Sequence, residues 1–380
     1  MSRVLLSLFV VIGSGFVIAD EPASVSTPDE AQHLANLRQV TFGLPRAGEG
    51  YFSPDGQWIV YQAYPIGYPF YQIYLQRLDE KVPMQLSTGR GRTTCSYFSP
   101  DMKTILFASS HTDPDIEQTE LLSRQRAAEV IRLQKELEEA IKIQKANKSA
   151  DSDAKVEKLR KESSRGRYQW DFDPHMELYT IRPDGTGLKR LTDSPGYDAE
   201  GSYSPDGKQI VFTSSRDGDP DLYVMDADGS NVRQLTNTPG YDGGPFFSPD
   251  GKWVIFRSDR DKEHMLQLFI ISVDGKQEVQ LTKNLDQVNW CPFFHPSGKY
   301  LVWSGADYSQ GQRGANFDLW MMELDFAGEG PKAGAITRIT DHKAADVLPV
   351  FSPDGTKLMW TSTRTPDGSS QLWIADWLRK

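Results

Sequence analysis

Cysteine and histidine are scarce in this chain, with two Cys and six His among 380 residues. Two thiols cannot build a disulfide scaffold, and no His-x-x-x-His pair offers tight metal-ligand spacing. No glycine-rich phosphate loop follows a strand, and no Gly-x-Ser-x-Gly elbow occurs, so the common signatures of nucleotide binding and serine hydrolysis are missing. Basic residues are outnumbered 42 to 52, for a net charge of −10, which gives no general attraction to nucleic acid or anionic lipid.

Long apolar runs are also lacking, except at the start. Arg3 followed by apolar Val4–Val17 and by Val17-Ile18-Ala19 before Asp20 reads as a signal peptide over residues 1–19. The other reading, a membrane anchor, requires a longer span. On the signal reading the mature chain is exported, periplasmic or secreted, and keeps no membrane span. Residues 20–35, polar and containing Pro22 and Pro28, then form a flexible leader.

What is present is a repeat. Ser-Pro-Asp-Gly stands at Ser53–Gly56, Ser204–Gly207, Ser248–Gly251 and Ser352–Gly355, with looser copies at Ser99–Met102 and His295–Gly298. The copies start 46, 105, 44, 47 and 57 residues apart. Pro presets φ for a type I turn, with Asp and Gly where the chain reverses. Aromatic or apolar residues precede each turn, and an alternating run such as Gln209–Thr213 follows, as in strand, turn, strand. A period near 45 is that of a four-stranded propeller blade.

A second element, Gln/Arg-Leu-Thr, recurs at Gln85–Ser87, Arg190–Thr192, Gln234–Thr236, Gln280–Thr282 and Arg338–Thr340, as the outermost strand of each blade. A further copy at Arg38–Thr41 precedes any blade, and the last blade has none after Asp376. The early copy therefore supplies the last blade's fourth strand and closes the ring over residues 36–380. The expected fold is all-β: a six-bladed β-propeller with a helical insertion in blade two.

That insertion is residues 112–170. Ile116–Asn147 contains no Gly or Pro and is rich in helix formers. Ala127, Val130, Leu133, Leu137 and Ile141 share one helical face. A break at Ser149–Asp153 leads into a second helix, to about Ser163. The pair is either a hairpin lying on the rim or a partner-binding arm.

The Ser-Pro-Asp-Gly copies, the run Asp-Leu-Tyr-Val-Met-Asp-Ala-Asp-Gly at 221–229 and the Gln-Leu-Thr closures resemble the repeats of TolB-like periplasmic propellers, with WD40-like spacing. The resemblance covers roughly Leu37 to Trp377 and implies a part in the Tol–Pal envelope system. Prolyl-oligopeptidase-type enzymes and oligogalacturonate lyases carry similar repeats.

Aligning the copies on the motif Ser, or His295 in the fifth, exposes three columns. Six residues before it stand Ala47, Thr93, Asp198, Asp242, Asn289 and Asp346, and four before it Glu49, Cys95, Glu200, Gly244, Cys291 and Leu348. Inner strands line a propeller's channel, and side chains two apart point the same way, so both rings are expected to face inward. The Asp residues either bond loop amides or shape an acidic funnel for a cationic or hydroxyl-rich ligand. In the loop after the second strand stand His111, Arg216, Arg260 and Arg364. They either pair with the Asp ring of a neighbouring blade or present a fork to ligand. Cys95 and Cys291 lie in opposed blades, which predicts free thiols. His111, His175, Glu49, Cys95 and Glu200 are a possible metal sector, and Asp217, Asp219 and Asp221 resemble the start of a calcium loop that lacks its glycine. The favoured reading uses neither metal nor cofactor.

These observations together predict a monomeric, non-catalytic binding scaffold for a protein or envelope polymer. The ligand residues at its funnel mouth are Asp198, Asp242, Asn289, Asp346, Glu49, Glu200, His111, Arg216, Arg260 and Arg364. The alternative is a metal-dependent lyase or hydrolase acting on acidic saccharides.

Overall fold

The computed structural model describes residues 29–164, 172–311, 315–326 and 330–379. Residues 1–19 and the start of the leader lie outside them. Six four-stranded antiparallel sheets form a six-bladed propeller. The inner strands are Ala47–Phe52, Thr93–Phe98, Asp198–Tyr203, Asp242–Phe247, Gln287–Phe294 and Asp346–Phe351.

Each motif turn is held by its own side chains. In blade three, Ser204 Oγ donates to Asp206 Oδ1 at 2.7 Å and accepts from Gln209 N at 3.0 Å. The same pattern recurs at Ser53, Ser99, Ser248 and Ser352. In blade five the polar contact shifts, and His295 Nδ1 lies 2.8 Å from Ser297 Oγ.

The closing Thr has an equally local reason. Thr236 Oγ1 accepts from Leu222 N at 2.9 Å and donates to Asp221 at 3.0 Å, stapling the outer strand to the head of the third. Thr41 does the same across the termini, accepting from Leu372 N at 2.9 Å and donating to Gln371 Oε1 at 2.8 Å. The strand Leu34–Gln39 pairs with Gln371–Trp377, Leu34 opposite Trp377 and Arg38 opposite Ile374. The ring is closed as the orphan repeat predicted, but the closing element starts earlier. Residues 30–35, expected in the leader, hold a 3-10 turn at Glu30–Gln32 and the head of that strand. The physical reason is Glu30, whose buried carboxylate pairs with Arg364 of the last blade.

Two helices, α1 (Ile116–Ala146) and α2 (Ala150–Ser164), follow the strand Ile105–Ser109 in the chain and precede its sheet partner Glu177–Ile181. They pack on each other through Leu133, Ala140, Val156 and Leu159, with Leu137 and Ile141 alongside. Ala127 is exposed, so the expected stripe is covered only in its later half. The base of α1 is fixed by Glu120, which accepts from Tyr68 at 2.7 Å and from Arg90 at 2.8 Å. No helix among the described residues is long and apolar enough to cross a membrane.

Inside the ring, Tyr51, Tyr97, Phe246 and Phe293 from four blades meet with ring centroids 5.2–6.3 Å apart. They floor the channel, so it is a funnel entered from the end where the inner strands begin.

Candidate functional site

Every inner strand breaks register, after its second paired residue in five blades and after its fourth in blade five. The residue at the break is four before the motif Ser, and in all six blades its φ is positive: 44° at Glu49, 53° at Cys95, 57° at Glu200, 58° at Gly244, 53° at Cys291 and 58° at Leu348. Five are not glycine, and each left-handed L-residue costs on the order of 1–2 kcal/mol. A bulge re-aims the side chain it carries. All six bulge residues line the funnel.

The bulge corrects the expectation that both columns face inward. Side chains two apart share a face only in an unbroken strand. The column six before the motif turns instead into its own blade. Asp198, Asp242, Asn289 and Asp346 are almost fully buried. Asp198 pairs with Arg216 at 2.9 Å and Asp242 with Arg260 at 2.6 Å, and Asp346 pairs with Arg364. Asn289 accepts from Trp303 Nε1 at 2.8 Å. The pairing is therefore within a blade, not between neighbours. Asp198 stands opposite Ser214 across the first hairpin, which places Arg216 two residues beyond. His111 takes the same place in blade two, with Nδ1 2.9 Å from Ser109 Oγ and its ring 4.5 Å from that of Tyr179. Of the ten residues expected at the mouth, Glu49 and Glu200 line the funnel, and the other eight do not.

Glu200 is fully engaged. It accepts from Tyr241 at 2.8 Å, Gly244 N at 2.6 Å, Thr213 at 2.9 Å and Arg257 at 2.9 Å. Arg257, missed in the sequence, enters the channel from the second strand of blade four. Gly244 makes room for it: a Cβ there would lie 1.7 Å from Arg257 Nη1. The available signal was a lone charge in Trp-Val-Ile-Phe-Arg-Ser, where the equivalent positions hold Gln62, Ala108, Thr213, Ser304 and Thr361. Phe172, where the chain returns from the helices, packs on Tyr197 and on Tyr241, the tyrosine that donates to Glu200.

Glu49 is different. It is buried, no basic side chain among the described residues pairs with it, and Tyr51 OH approaches only to 3.5 Å. Burial pushes its carboxyl up to about 7, the nearby Glu200 adds to that, and the Cys95 thiol and Arg257 oppose it. Both cysteines are free and buried in the funnel wall, where burial pushes their thiols up and keeps them protonated. Trp290 Nε1 and Ser96 Oγ, also in the wall, are buried without a hydrogen-bond partner among the described residues.

The residues weighed as a possible metal sector do not converge among the described residues. His175 Nε2 faces Asp113 at 3.6 Å, and neither it nor His111 lines the funnel. Among the described residues, the one group of three carboxylate, thiol or imidazole ligands that converges is Asp217, Asp219 and Asp221 in a loop of blade three.

The family model of the Tricorn protease N-terminal beta propeller domain matches residues 172–304. A protein TolB homolog of Chlorobium luteolum is 43% identical over 49 residues, 13% of this chain and 11% of that protein. The Tol-Pal system protein TolB of Bordetella pertussis is 42% identical over 45 residues, 10% of its length. In three dimensions, TolB from Acinetobacter baumannii aligns with a TM-score of 0.51 at 18% identity, over 87% of this chain and 63% of that one. A TolB-type structure from Agrobacterium tumefaciens aligns with a TM-score of 0.54 at 18% identity, over 90% and 98%. The chain is similar to TolB-like propellers. The matched stretch is about a tenth of the length of the curated relatives, so the TolB-like likeness is one of repeat and fold.

Proposed function

We propose that this TolB-like propeller is an exported binding scaffold. It holds a protein or envelope polymer at its funnel mouth, with the helices inserted in blade two as an arm beside it. The observation that carries the reading is the funnel itself: an open mouth, an aromatic floor, and a wall of side chains aimed inward by six bulges. Residues 1–19 act as the export signal, and the TolB relatives' place in a Tol-Pal system supports the periplasm as the compartment. A partner is expected to touch both arm and mouth.

The second reading, a lyase or hydrolase on acidic saccharides, draws on one observation. Glu49 with a pKa of about 7 is matched to proton transfer at neutral pH. Two assays separate the readings. Tagged protein, protein lacking residues 112–170, and Leu348→Trp, which fills the funnel, are used to capture partners from envelope extract. In parallel, acidic oligosaccharides are incubated with the protein, with and without Mn²⁺. The scaffold reading predicts a partner that both variants lose and no turnover. Turnover abolished by Glu49→Gln would establish the enzyme instead.

A further inference from the structure

We propose that the open half of the funnel binds a monocation on an apolar or aromatic stem, such as an alkylammonium or quaternary ammonium group, with Glu49 as its counter-ion. The inference rests on the binding reading of the funnel and names its ligand class.

The argument begins with the contrast between the two channel carboxylates. Glu200 has four donors, including Arg257. Glu49 is aimed into the same funnel by the same bulge and has no cation among the described residues, and its strand neighbour Tyr51 stands at the edge of hydrogen-bond range. A buried carboxylate without a counter-charge holds its proton, as this one does up to about pH 7. Cys95, Glu200, Arg257 and Tyr51 are the titratable groups that act on it. From blade six, the Thr361 hydroxyl accepts from the Glu49 backbone N–H at 3.0 Å and leaves the carboxylate untouched.

The wall fits the same ligand. Tyr51, Tyr64, Tyr71, Trp290, Phe293 and Phe317 line the funnel. Aromatic faces attract a cation by about 0.5–1 kcal/mol at exposed sites and by about 2 kcal/mol when desolvated. Val347, Leu348 and Pro349 supply an apolar side for a stem. An anion would meet two channel carboxylates, while Arg257 is committed to Glu200 and Arg46 stands at the rim.

The test is calorimetric titration with benzyltrimethylammonium and its uncharged isostere neopentylbenzene, at pH 6 and pH 8. A cation that needs ionised Glu49 binds about tenfold more tightly at pH 8, because the ionised fraction rises from roughly a tenth to nine-tenths across a pKa of about 7. Glu49→Gln is expected to remove that pH dependence and to leave the isostere unchanged. On the wild-type protein alone, titration at pH 7 in two buffers of different ionisation heat is expected to show release of about half a proton per cation bound. Equal binding of cation and isostere, no binding of either, or no proton release would overturn the proposal. The titration needs no partner, so it fails or succeeds separately from the capture experiment.

Discussion

At the scale of single residues, Glu49 ties stability to pH. Its carboxyl is protonated in the folded chain up to about pH 7 and ionises near 4.5 when unfolded. Stability from this group is present below pH 4.5 and is lost as pH rises through 7, a difference of up to about 3 kcal/mol. Glu49→Gln is therefore expected to melt with the wild type at pH 4 and above it at pH 8, measured by thermal unfolding. Gly244→Ala tests the bulge. The new Cβ meets Arg257 and sits at φ 58°, so a loss of at least ~2 kcal/mol in denaturant unfolding is expected. Both columns of six were visible from the repeat, but their orientation was not. Glycine marks the left-handed position in only one blade of six, and the other five hide it behind Glu, Cys and Leu.

At the scale of elements, the Gln/Arg-Leu-Thr copies announced ring closure because the Thr staple depends on a local spacing that sequence preserves. Glu30 could not be read the same way, since its partner Arg364 is 334 residues away. Removing residues 1–28 is expected to leave the thermal transition unchanged. Removing 1–41 takes away the closing strand, Thr41 and Glu30 together, and is expected to lower the midpoint by more than 10 °C or abolish the cooperative transition. The helices were legible from composition and period. What they cover was only half legible: Leu133 and Leu137 face α2, and Phe172, which packs on Tyr197 and Tyr241, sits outside any helical pattern. Leu133→Glu with Leu137→Glu should therefore open the hairpin and reduce the helical circular dichroism, while the propeller's cooperative transition persists. Loss of that transition would mean the hairpin is part of the ring's core.

At the scale of the whole molecule, six turns at blade spacing were enough to foresee the ring, since each blade is a local unit that needs its neighbours only to bury its faces. The asymmetry of the mouth had no such signature. It arises where the Glu200–Arg257 pair occupies one side, with Phe172 against the Tyr241 that donates to Glu200, leaving Glu49, Tyr64 and Thr363 lining the funnel elsewhere. The central claim is that a partner engages this mouth. The most direct measurement places a photo-crosslinking residue at Thr363, on the mouth, and separately at Lys208, an exposed position beside a motif turn at the other end of the blades. After irradiation in envelope extract, a discrete covalent adduct is expected from position 363 and none from 208. Adducts from 208 alone, or from neither position, would contradict the account.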